Sequence, residues 1–233
     1  MTPAPGSPST SDSPTTGPLD ERGGRQAVVD TLRFLDERGL NVGTSGNVSV
    51  RSADGCLVSP SAIPPHLVDA AAVVALDHDG TPIGPGIPTT EWRIHRDLYD
   101  RFPQAQAIVH MHSTYAVALA CLREDLPSFH YMVGKAGGDV IRCAEYATYG
   151  TQALSDNIIV ALGDRRACLM ANHGMLAYAE TMPKAQALAV EVENLCRQYL
   201  IARAAGSPVL LSDEQMLDAR TRFARYGTPA SRD

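Results

Sequence analysis

The chain has 233 residues, of which 44% are hydrophobic and 20% are charged, and its formal net charge is −6. This length and composition are typical of one large globular domain, and the negative charge argues against a nucleic-acid partner. No apolar run reaches the ~18 to 20 residues that span a bilayer, so we expect no membrane association. The N-terminus also lacks a signal-peptide pattern, which predicts a cytoplasmic protein.

The N-terminal segment differs in composition from the rest of the chain. Residues 1–18 are almost entirely Pro, Ser, Thr, Gly and Asp, which leaves too little apolar surface to offset the entropy lost on ordering. We therefore predict a disordered tail at residues 1–18 and a single domain at residues 19–233. Five cysteines without a C-x-x-C pair predict reduced, mostly buried thiols.

Apolar periodicity and turn residues predict alternating helices and short strands. The helices predicted in chain order are one ending at Glu37, a short one at Pro64–Val68, and others at Glu91–Arg101, Thr114–Leu122, Gly150–Leu162, Met182–Ala204 and Asp213–Arg225. Extended segments are predicted at Val48–Val50, Cys56–Ser59, Val73–Leu76, Gln106–Ser113, Val140–Ile141 and Cys168–Met170. We expect Thr89 or Thr90 to cap the helix that begins at Glu91. This alternation predicts one layered α/β domain with a central mixed or mainly antiparallel sheet flanked by helices.

Two histidines in a predicted strand suggest a metal site. His110 and His112 are two residues apart, so both side chains project from one face of the strand. Chance proximity explains the spacing equally well. His173, in the turn Asn172-His173-Gly174, is the natural third ligand, and three histidines leave an open position on zinc, as in catalytic sites. Glu91 is the remaining candidate, although a glutamate at a helix N-terminus is by itself only a favourable partner of the helix dipole.

Several short motifs occur in a fixed order along the chain. They are Ser45-Gly46-Asn47-Val48-Ser49, Ser59-Pro60-Ser61, Thr89-Thr90-Glu91-Trp92-Arg93, His110-Met111-His112, Phe129-His130-Tyr131-Met132, Tyr146-Ala147-Thr148-Tyr149-Gly150-Thr151 and Asn172-His173-Gly174. This ordered series resembles the class II aldolase/adducin family. The resemblance covers nearly all of residues 19–233, which it identifies as a class II aldolase-like catalytic domain.

The resemblance assigns roles to individual residues. It implies that His110, His112 and His173 bind zinc or another divalent metal, and that Glu91 is the catalytic acid/base and can also approach the metal. It implies that Tyr131 reaches the site of a neighbouring subunit and that the C-terminal Tyr226 helps to close the site. The phosphate-binding residues that it implies are Gly46, Asn47, Ser61, Ala62, Thr89 and Thr90.

The resemblance also implies a reaction and an assembly. The reaction is the reversible, zinc-dependent cleavage of a phosphorylated sugar, L-fuculose 1-phosphate or a similar deoxyketose 1-phosphate, to dihydroxyacetone phosphate and a short aldehyde such as L-lactaldehyde. The implied assembly is a homotetramer with active sites between subunits. A Schiff-base mechanism is poorly supported, because the only lysines are Lys135 and Lys184.

Four positions depart from the family pattern. Ala62 replaces a glycine, which carries a cost if the backbone there needs a positive φ. Thr89 and Thr90 replace two serines, and Lys135 adds a charge after Tyr131. These departures leave open the aldehyde half of the substrate, including a 5-deoxyribulose 1-phosphate.

Two alternatives remain at this stage. A pentulose-5-phosphate 4-epimerase of the same family would share the three histidines, but an aspartate usually stands there in place of Glu91. An adducin-like interaction module would lack the metal-binding set, which this chain retains.

Overall fold

The computed structural model describes residues 21–225, so the predicted tail at residues 1–18 and Tyr226 lie outside the described residues. The helices are α1 Glu21–Glu37, α2 Trp92–Arg101, α3 Thr114–Ala120, α4 Gln152–Leu162, α5 Met182–Ala205 and α6 Asp213–Arg225. The strands are β1 Asn47–Arg51, β2 Gly55–Val58, β3 Val74–Asp77, β4 Pro82–Ile83, β5 Ala107–Met111, β6 Cys143–Ala144, β7 Ala167–Met170 and β8 Gly174–Ala179. Two short 3₁₀ helices lie at Pro65–Leu67 and Tyr131–Ala136.

Within the described residues, eight strands form one sheet in the order β4-β3-β2-β1-β5-β8-β7-β6. Neighbouring strands are antiparallel except for the parallel pair β6–β7. The prediction of one α/β domain with a mixed, mainly antiparallel sheet is therefore confirmed. None of the described helices is long and apolar enough to cross a membrane.

Each face of the sheet is covered by its own helices. Helices α1, α3 and α5 pack on one face, and α2 and α4 pack on the other. Strand alternation divides the side chains between these layers. In β1, Val48 and Val50 point into the α1 and α5 layer, so Asn47 and Ser49 point towards α2. In β5, Ile108 lies in the α2 layer, and His110 shares its face.

Several predicted elements differ from those observed. The strand β8 was not predicted, because Gly174–Ala179 is buried at every position and so lacks the alternation of a half-exposed strand. The extended segment predicted at Val140–Ile141 is wrong at Val140, which lies in a bend, while Ile141 forms an isolated bridge with Leu126. The strand in this part of the chain is instead β6, which begins two residues later at Cys143.

The predicted cap of α2 is also wrong. Glu91, rather than Thr89 or Thr90, occupies the N-cap position, and no side chain there accepts a capping hydrogen bond. The Thr89 hydroxyl instead accepts from the Glu91 N–H at 3.4 Å. The threonines therefore shape the turn that leads into α2, and they place the Glu91 side chain at its start.

Candidate active site

The sheet topology brings the start and end of several elements to one edge. Antiparallel pairing sets Asn47, the first residue of β1, opposite His110 near the end of β5. Strand β8 pairs with both β5 and β7, so the β7–β8 turn that carries His173 lies beside the same end of β5. A bridge between Pro60 and Pro88 joins the segment after β2 to the segment before α2. Residues that are far apart in sequence therefore meet here.

Four side chains with metal-binding atoms converge at this edge. Glu91, His110, His112 and His173 each offer one such atom, and all four atoms lie within 4.8 Å of one another. His110 Nε2 lies 3.2 Å from Glu91 Oε2 and 3.0 Å from His112 Nε2. His173 Nε2 lies 3.3 Å from Glu91 Oε1. The structure thus brings together the four residues that the sequence singled out for metal binding and proton transfer.

The chemistry of this cluster fits a divalent metal ion. Within residues 21–225, Glu91 Oε1 is buried without a hydrogen-bond partner. His110 Nδ1 donates to the Met175 carbonyl at 2.9 Å, which leaves Nε2 with its lone pair towards the cluster. A cation would satisfy both the carboxylate oxygen and the facing imidazole nitrogens. Three histidines with a carboxylate are a ligand set that zinc accepts.

The protonation preferences of the cluster agree with this fit. Burial alone would raise the pKa of Glu91, but the facing His110 and His173 and the Asn47 amide hold it well below its usual range. Burial, together with the neighbouring imidazoles, lowers the pKa of His112 to about 3 and that of His173 to about 4. These two histidines are therefore neutral near pH 7, which is the form that binds a metal.

His110 differs from the other two histidines. Burial lowers its pKa, but the Glu91 carboxylate outweighs burial and raises the pKa above the ordinary value. A buried carboxylate thus favours a positive charge at this position, which is the same preference that would hold a metal ion.

The backbone around the histidines is held by neighbouring groups. The Asn41 side chain accepts from the His112 N–H at 2.8 Å. A Cβ added at Gly174 would lie 2.6 Å from the Met111 carbonyl oxygen and 3.3 Å from both His110 and His112. Only glycine therefore lets β8 approach β5 this closely beneath the two histidines.

A cavity of about 370 Å³ opens above the cluster. It is lined by all six residues predicted to bind phosphate, namely Gly46, Asn47, Ser61, Ala62, Thr89 and Thr90, and by Glu91, His112 and His173. His110 lies beneath and is fully buried. Small and hydroxyl-bearing residues allow backbone N–H groups to approach an anion, and the N-terminus of α2 adds a favourable dipole.

Two of these lining residues have left-handed backbone conformations. Gly46 has φ +74°, and a Cβ there would lie 2.4 Å from Asn41 Nδ2. Ala62 has φ +57°, which is uncommon for a residue with a Cβ. The position where the family has glycine thus keeps a glycine-like backbone, although alanine occupies it.

Tyr131 is not part of the cavity in this chain. It is half-exposed, begins a 3₁₀ helix and stacks on Phe223 of α6, with ring centroids 5.9 Å apart. The other tyrosine predicted from the resemblance, Tyr226, lies outside the described residues.

Sequence reasoning gave no role to several residues of the cavity wall. Tyr146, Tyr149 and Asn172 line the cavity, and the first two belong to a motif that supported the resemblance. Arg123 donates to Asn172 Oδ1 at 2.8 Å, and its guanidinium lies 5.9 Å from the centroid of the Tyr146 ring. The motif was the sequence feature that could have drawn attention to these residues. Their position on the cavity wall depends on the tertiary fold.

Comparison with known proteins identifies the family. Residues 26–200 match the family described as Class II Aldolase and Adducin N-terminal domain. The chain is 41% identical over 206 residues to a 5-methylthioribulose-1-phosphate/5-deoxyribulose-1-phosphate aldolase of Rhodospirillum rubrum, covering 88% of this chain and 93% of that protein. It is 40% identical over 201 residues to the L-fuculose phosphate aldolase of Escherichia coli, covering 86% and 94% respectively.

A solved structure agrees with these sequence matches. An L-fuculose 1-phosphate aldolase superposes with a TM-score of 0.84 at 38% identity, covering 87% of this chain and 96% of that one. The resemblance found in the ordered motifs is therefore confirmed, and so is the fold that it implies. This chain belongs to the class II aldolase and adducin N-terminal domain family.

Proposed function

We propose that this protein is a zinc-dependent aldolase that reversibly cleaves a ketose 1-phosphate to dihydroxyacetone phosphate and a short aldehyde. The observation that carries the proposal is the cluster of Glu91, His110, His112 and His173 at the base of a cavity suited to an anion. An adducin-like interaction module would not need four convergent, largely buried metal-binding groups. We further propose that the enzyme acts in the cytoplasm.

In this proposal the three histidines hold the metal ion and Glu91 transfers the proton. A bound divalent metal supplies Lewis-acid stabilisation of the negative charge that develops on the substrate oxygens. Glu91 is ionised and 6% exposed, so it is shielded from bulk water while it exchanges a proton with the substrate carbon. In the condensation direction this carboxylate removes a proton from the substrate carbon that forms the new bond. In the cleavage direction Glu91 must first take up a proton from solvent, which it gives to that carbon once the C3–C4 bond has broken.

The phosphate would bind where the cavity is lined by Gly46, Ser61, Ala62, Thr89 and Thr90. Asn47 links this region to the acid/base, because its Nδ2 donates to Glu91 Oε2 at 2.9 Å. The amide has a second hydrogen on Nδ2 that is available to a substrate oxygen. The Asn47 side chain would therefore contribute both to phosphate binding and to the placement of Glu91.

Two substrates follow from the relatives. L-Fuculose 1-phosphate is one, given the Escherichia coli relative. The second is 5-deoxyribulose 1-phosphate, and it is favoured by the Rhodospirillum rubrum relative, whose name includes that compound. The two compounds share the dihydroxyacetone phosphate half, on which the cluster would act, and differ in the aldehyde half.

We also propose a homotetramer with active sites between subunits. Tyr131 lies away from the cavity of its own chain and is half-exposed, as expected of a side chain that serves a neighbouring site. There Tyr131, or a water near it, would relay the C4 hydroxyl proton to solvent as the C3–C4 bond breaks, and Tyr226 would help to close the site.

The test is to incubate the zinc-loaded protein with each ketose 1-phosphate and to couple dihydroxyacetone phosphate to NADH oxidation by a reductase. We expect release from at least one of them, loss of activity after chelation and recovery on adding Zn²⁺. The variant Glu91→Gln should keep its zinc and lose about 10²- to 10⁴-fold in kcat, as expected for removal of an acid/base.

The same experiment decides between the family activities. No release of dihydroxyacetone phosphate from either compound, with zinc bound, would rule out the aldolase. A C4 epimer recovered from an intact pentulose 5-phosphate would identify an epimerase instead.

A further inference from the structure

Helix α2 and strand β1 present matching polar residues to each other. Glu91, His95 and Tyr99 follow one another at intervals of four residues along α2, so they share one face of the helix and are spaced about 6 Å apart. Asn47 and Ser49 alternate on β1 and are spaced about 6.6 Å apart. Because these two repeats are nearly equal, the five side chains interdigitate in one row.

This row is a continuous chain of hydrogen bonds. Asn47 Nδ2 lies 2.9 Å from Glu91 Oε2, and Asn47 Oδ1 lies 2.6 Å from His95 Nε2. His95 Nδ1 lies 2.7 Å from Ser49 Oγ, which lies 2.8 Å from the Tyr99 hydroxyl. All five side chains are buried, and His95 and Ser49 are 0% exposed.

The chemistry of the groups fixes the direction of every bond. The ionised Glu91 carboxylate only accepts, so the Asn47 amide must turn its Nδ2 towards Glu91 and its Oδ1 towards His95. His95 must then donate through Nε2, which leaves Nδ1 to accept from the Ser49 hydroxyl. Ser49 in turn accepts from Tyr99. The result is a one-way chain that ends on the acid/base.

His95 remains neutral in this environment. Burial and the neighbouring His110 lower the pKa of His95 to about 3, although Glu91 opposes the shift. The opposite tautomer, with the proton on Nδ1, would require the Asn47 amide to flip. Its Oδ1 would then face the Glu91 carboxylate at hydrogen-bond distance, and two buried acceptors would repel each other.

We propose that His95 is a positioning residue for Glu91: its Nε2–H tautomer locks the Asn47 amide in the orientation that donates to the Glu91 carboxylate. His95 does not line the cavity, and its side-chain hydrogen bonds are to Asn47 and Ser49, so its hydrogen-bonded link to Glu91 runs through Asn47. The inference rests on the proposed aldolase function, in which Glu91 transfers the proton.

The first test compares two replacements of His95. His95→Leu removes both polar atoms at similar volume, whereas His95→Gln keeps one donor and one acceptor. We expect His95→Leu to lower kcat about 10- to 100-fold, the range seen when groups that orient an active-site residue are lost. KM should change far less, the zinc content should stay at the wild-type level, and His95→Gln should recover most of kcat.

A partial reaction isolates the step that Glu91 performs. Exchange of a carbon-bound hydrogen of dihydroxyacetone phosphate with deuterium from solvent needs the acid/base and no aldehyde. We expect this exchange to fall in parallel with kcat in His95→Leu and to recover in His95→Gln.

The matched control breaks another hydrogen bond made by α2, one that is partly buried. Ser155 Oγ donates to Asp97 Oδ2 at 2.6 Å, away from the chain of five residues. Ser155→Ala should lower thermal stability and leave kcat per folded enzyme unchanged. If His95→Leu behaves in the same way, with wild-type kcat and exchange, His95 is merely structural and the proposal is overturned.

A measurement on the metal-free protein is independent of activity. Long-range ¹H–¹⁵N spectra of histidine-labelled protein distinguish the two tautomers, and we expect the His95 proton on Nε2. A proton on Nδ1 would overturn the inference even in an active aldolase. Conversely, a wild-type protein that cleaves neither ketose 1-phosphate would refute the proposed function. The tautomer of His95 would still show whether the hydrogen bonds run in the proposed direction.

Discussion

Single residues at this site combine strain, burial and charge in ways that lead to distinct measurements. Ala62 keeps a left-handed backbone beside the proposed phosphate position. Glu91 is held ionised by the groups that surround it, and His95 is held neutral. The backbone of Ala62 bears on stability and phosphate binding, and the neutral state of His95 bears on the response of the protein to acid.

Replacing Ala62 by glycine should stabilise the protein slightly. A left-handed conformation costs a non-glycine residue about 1 to 2 kcal/mol. Glycine, in contrast, gives the unfolded chain more conformational entropy, which lowers the free energy of unfolding by about 0.4 to 1 kcal/mol. We expect a net gain of up to about 1 kcal/mol in urea unfolding, with no loss of phosphate affinity. Clear destabilisation by Ala62→Gly would show that the alanine methyl group makes a contact that matters.

His95 should make the metal-free protein sensitive to acid. Its pKa falls from about 6.5 in the unfolded chain to about 3 in the folded one. The stability it contributes is therefore complete above pH 6.5 and is lost as the pH falls towards 3. Between pH 7 and 5 the wild type should lose about 2 kcal/mol more than His95→Gln, at about 1.4 kcal/mol per pH unit.

The measurement is urea unfolding of both proteins in a pH series. His66→Gln, at an exposed position, is the control and should follow the wild-type curve. Parallel curves for the wild type and His95→Gln would mean that folding does not lower the pKa of His95.

At the level of elements, the approach of β8 to β5 decides the geometry of the metal-binding cluster. These two central strands pair over five residues, from Ala107 opposite Ala179 to Met111 opposite Met175. The Met175 carbonyl orients His110, and the turn before β8 carries His173. The positions of the three proposed metal ligands therefore depend on one strand pair.

Gly174→Ala should weaken zinc binding more than it weakens the fold. The new methyl group would meet the Met111 carbonyl and the rings of His110 and His112, so the strands or the rings must move. We expect about a 10- to 100-fold loss of zinc affinity in a chelator competition. Gly206→Ala, where nothing lies within 4 Å of an added Cβ, is the control and should bind zinc normally.

For the whole molecule, the position of Tyr131 makes the proposed assembly testable. Glu91 lies in the cavity of its own chain, and Tyr131 lies outside that cavity. If each site takes Tyr131 from a neighbour, one subunit supplies Glu91 to a given site and another subunit supplies Tyr131. Glu91→Gln and Tyr131→Phe then remove the contributions of two different subunits. Mixed oligomers would then contain some sites in which both residues are intact.

Co-expression of Glu91→Gln and Tyr131→Phe chains should therefore restore activity that neither variant shows alone. Separately purified variants, mixed without subunit exchange, are the control and should remain inactive. Activity no higher than the average of the two variants would place Tyr131 in the site of its own chain or remove its role. Sedimentation of the mixed sample reports whether it is tetrameric.

Local sequence supplied the candidates for the chemistry of the site. The His110-Met111-His112 spacing, the Asn172-His173-Gly174 turn and Glu91 at a helix start are short-range features. Each also has an ordinary structural explanation, so the resemblance was needed to choose a metal site and an acid/base. The order of motifs identified the family, and alternating helices with short strands indicated the layered α/β fold. At Ala62 the family glycine raised a positive φ only as a condition, and the structure shows that the backbone there has φ +57°.

Other features depended on contacts that no local pattern encodes. The buried strand β8 has no alternation to mark it, yet it joins β7 to β5 and so brings His173 to the histidine pair. A single histidine such as His95 does not reveal its partners in the sequence. Its role arises from the match between a helical repeat on α2 and a strand repeat on β1, and that match exists only when the two elements are packed together.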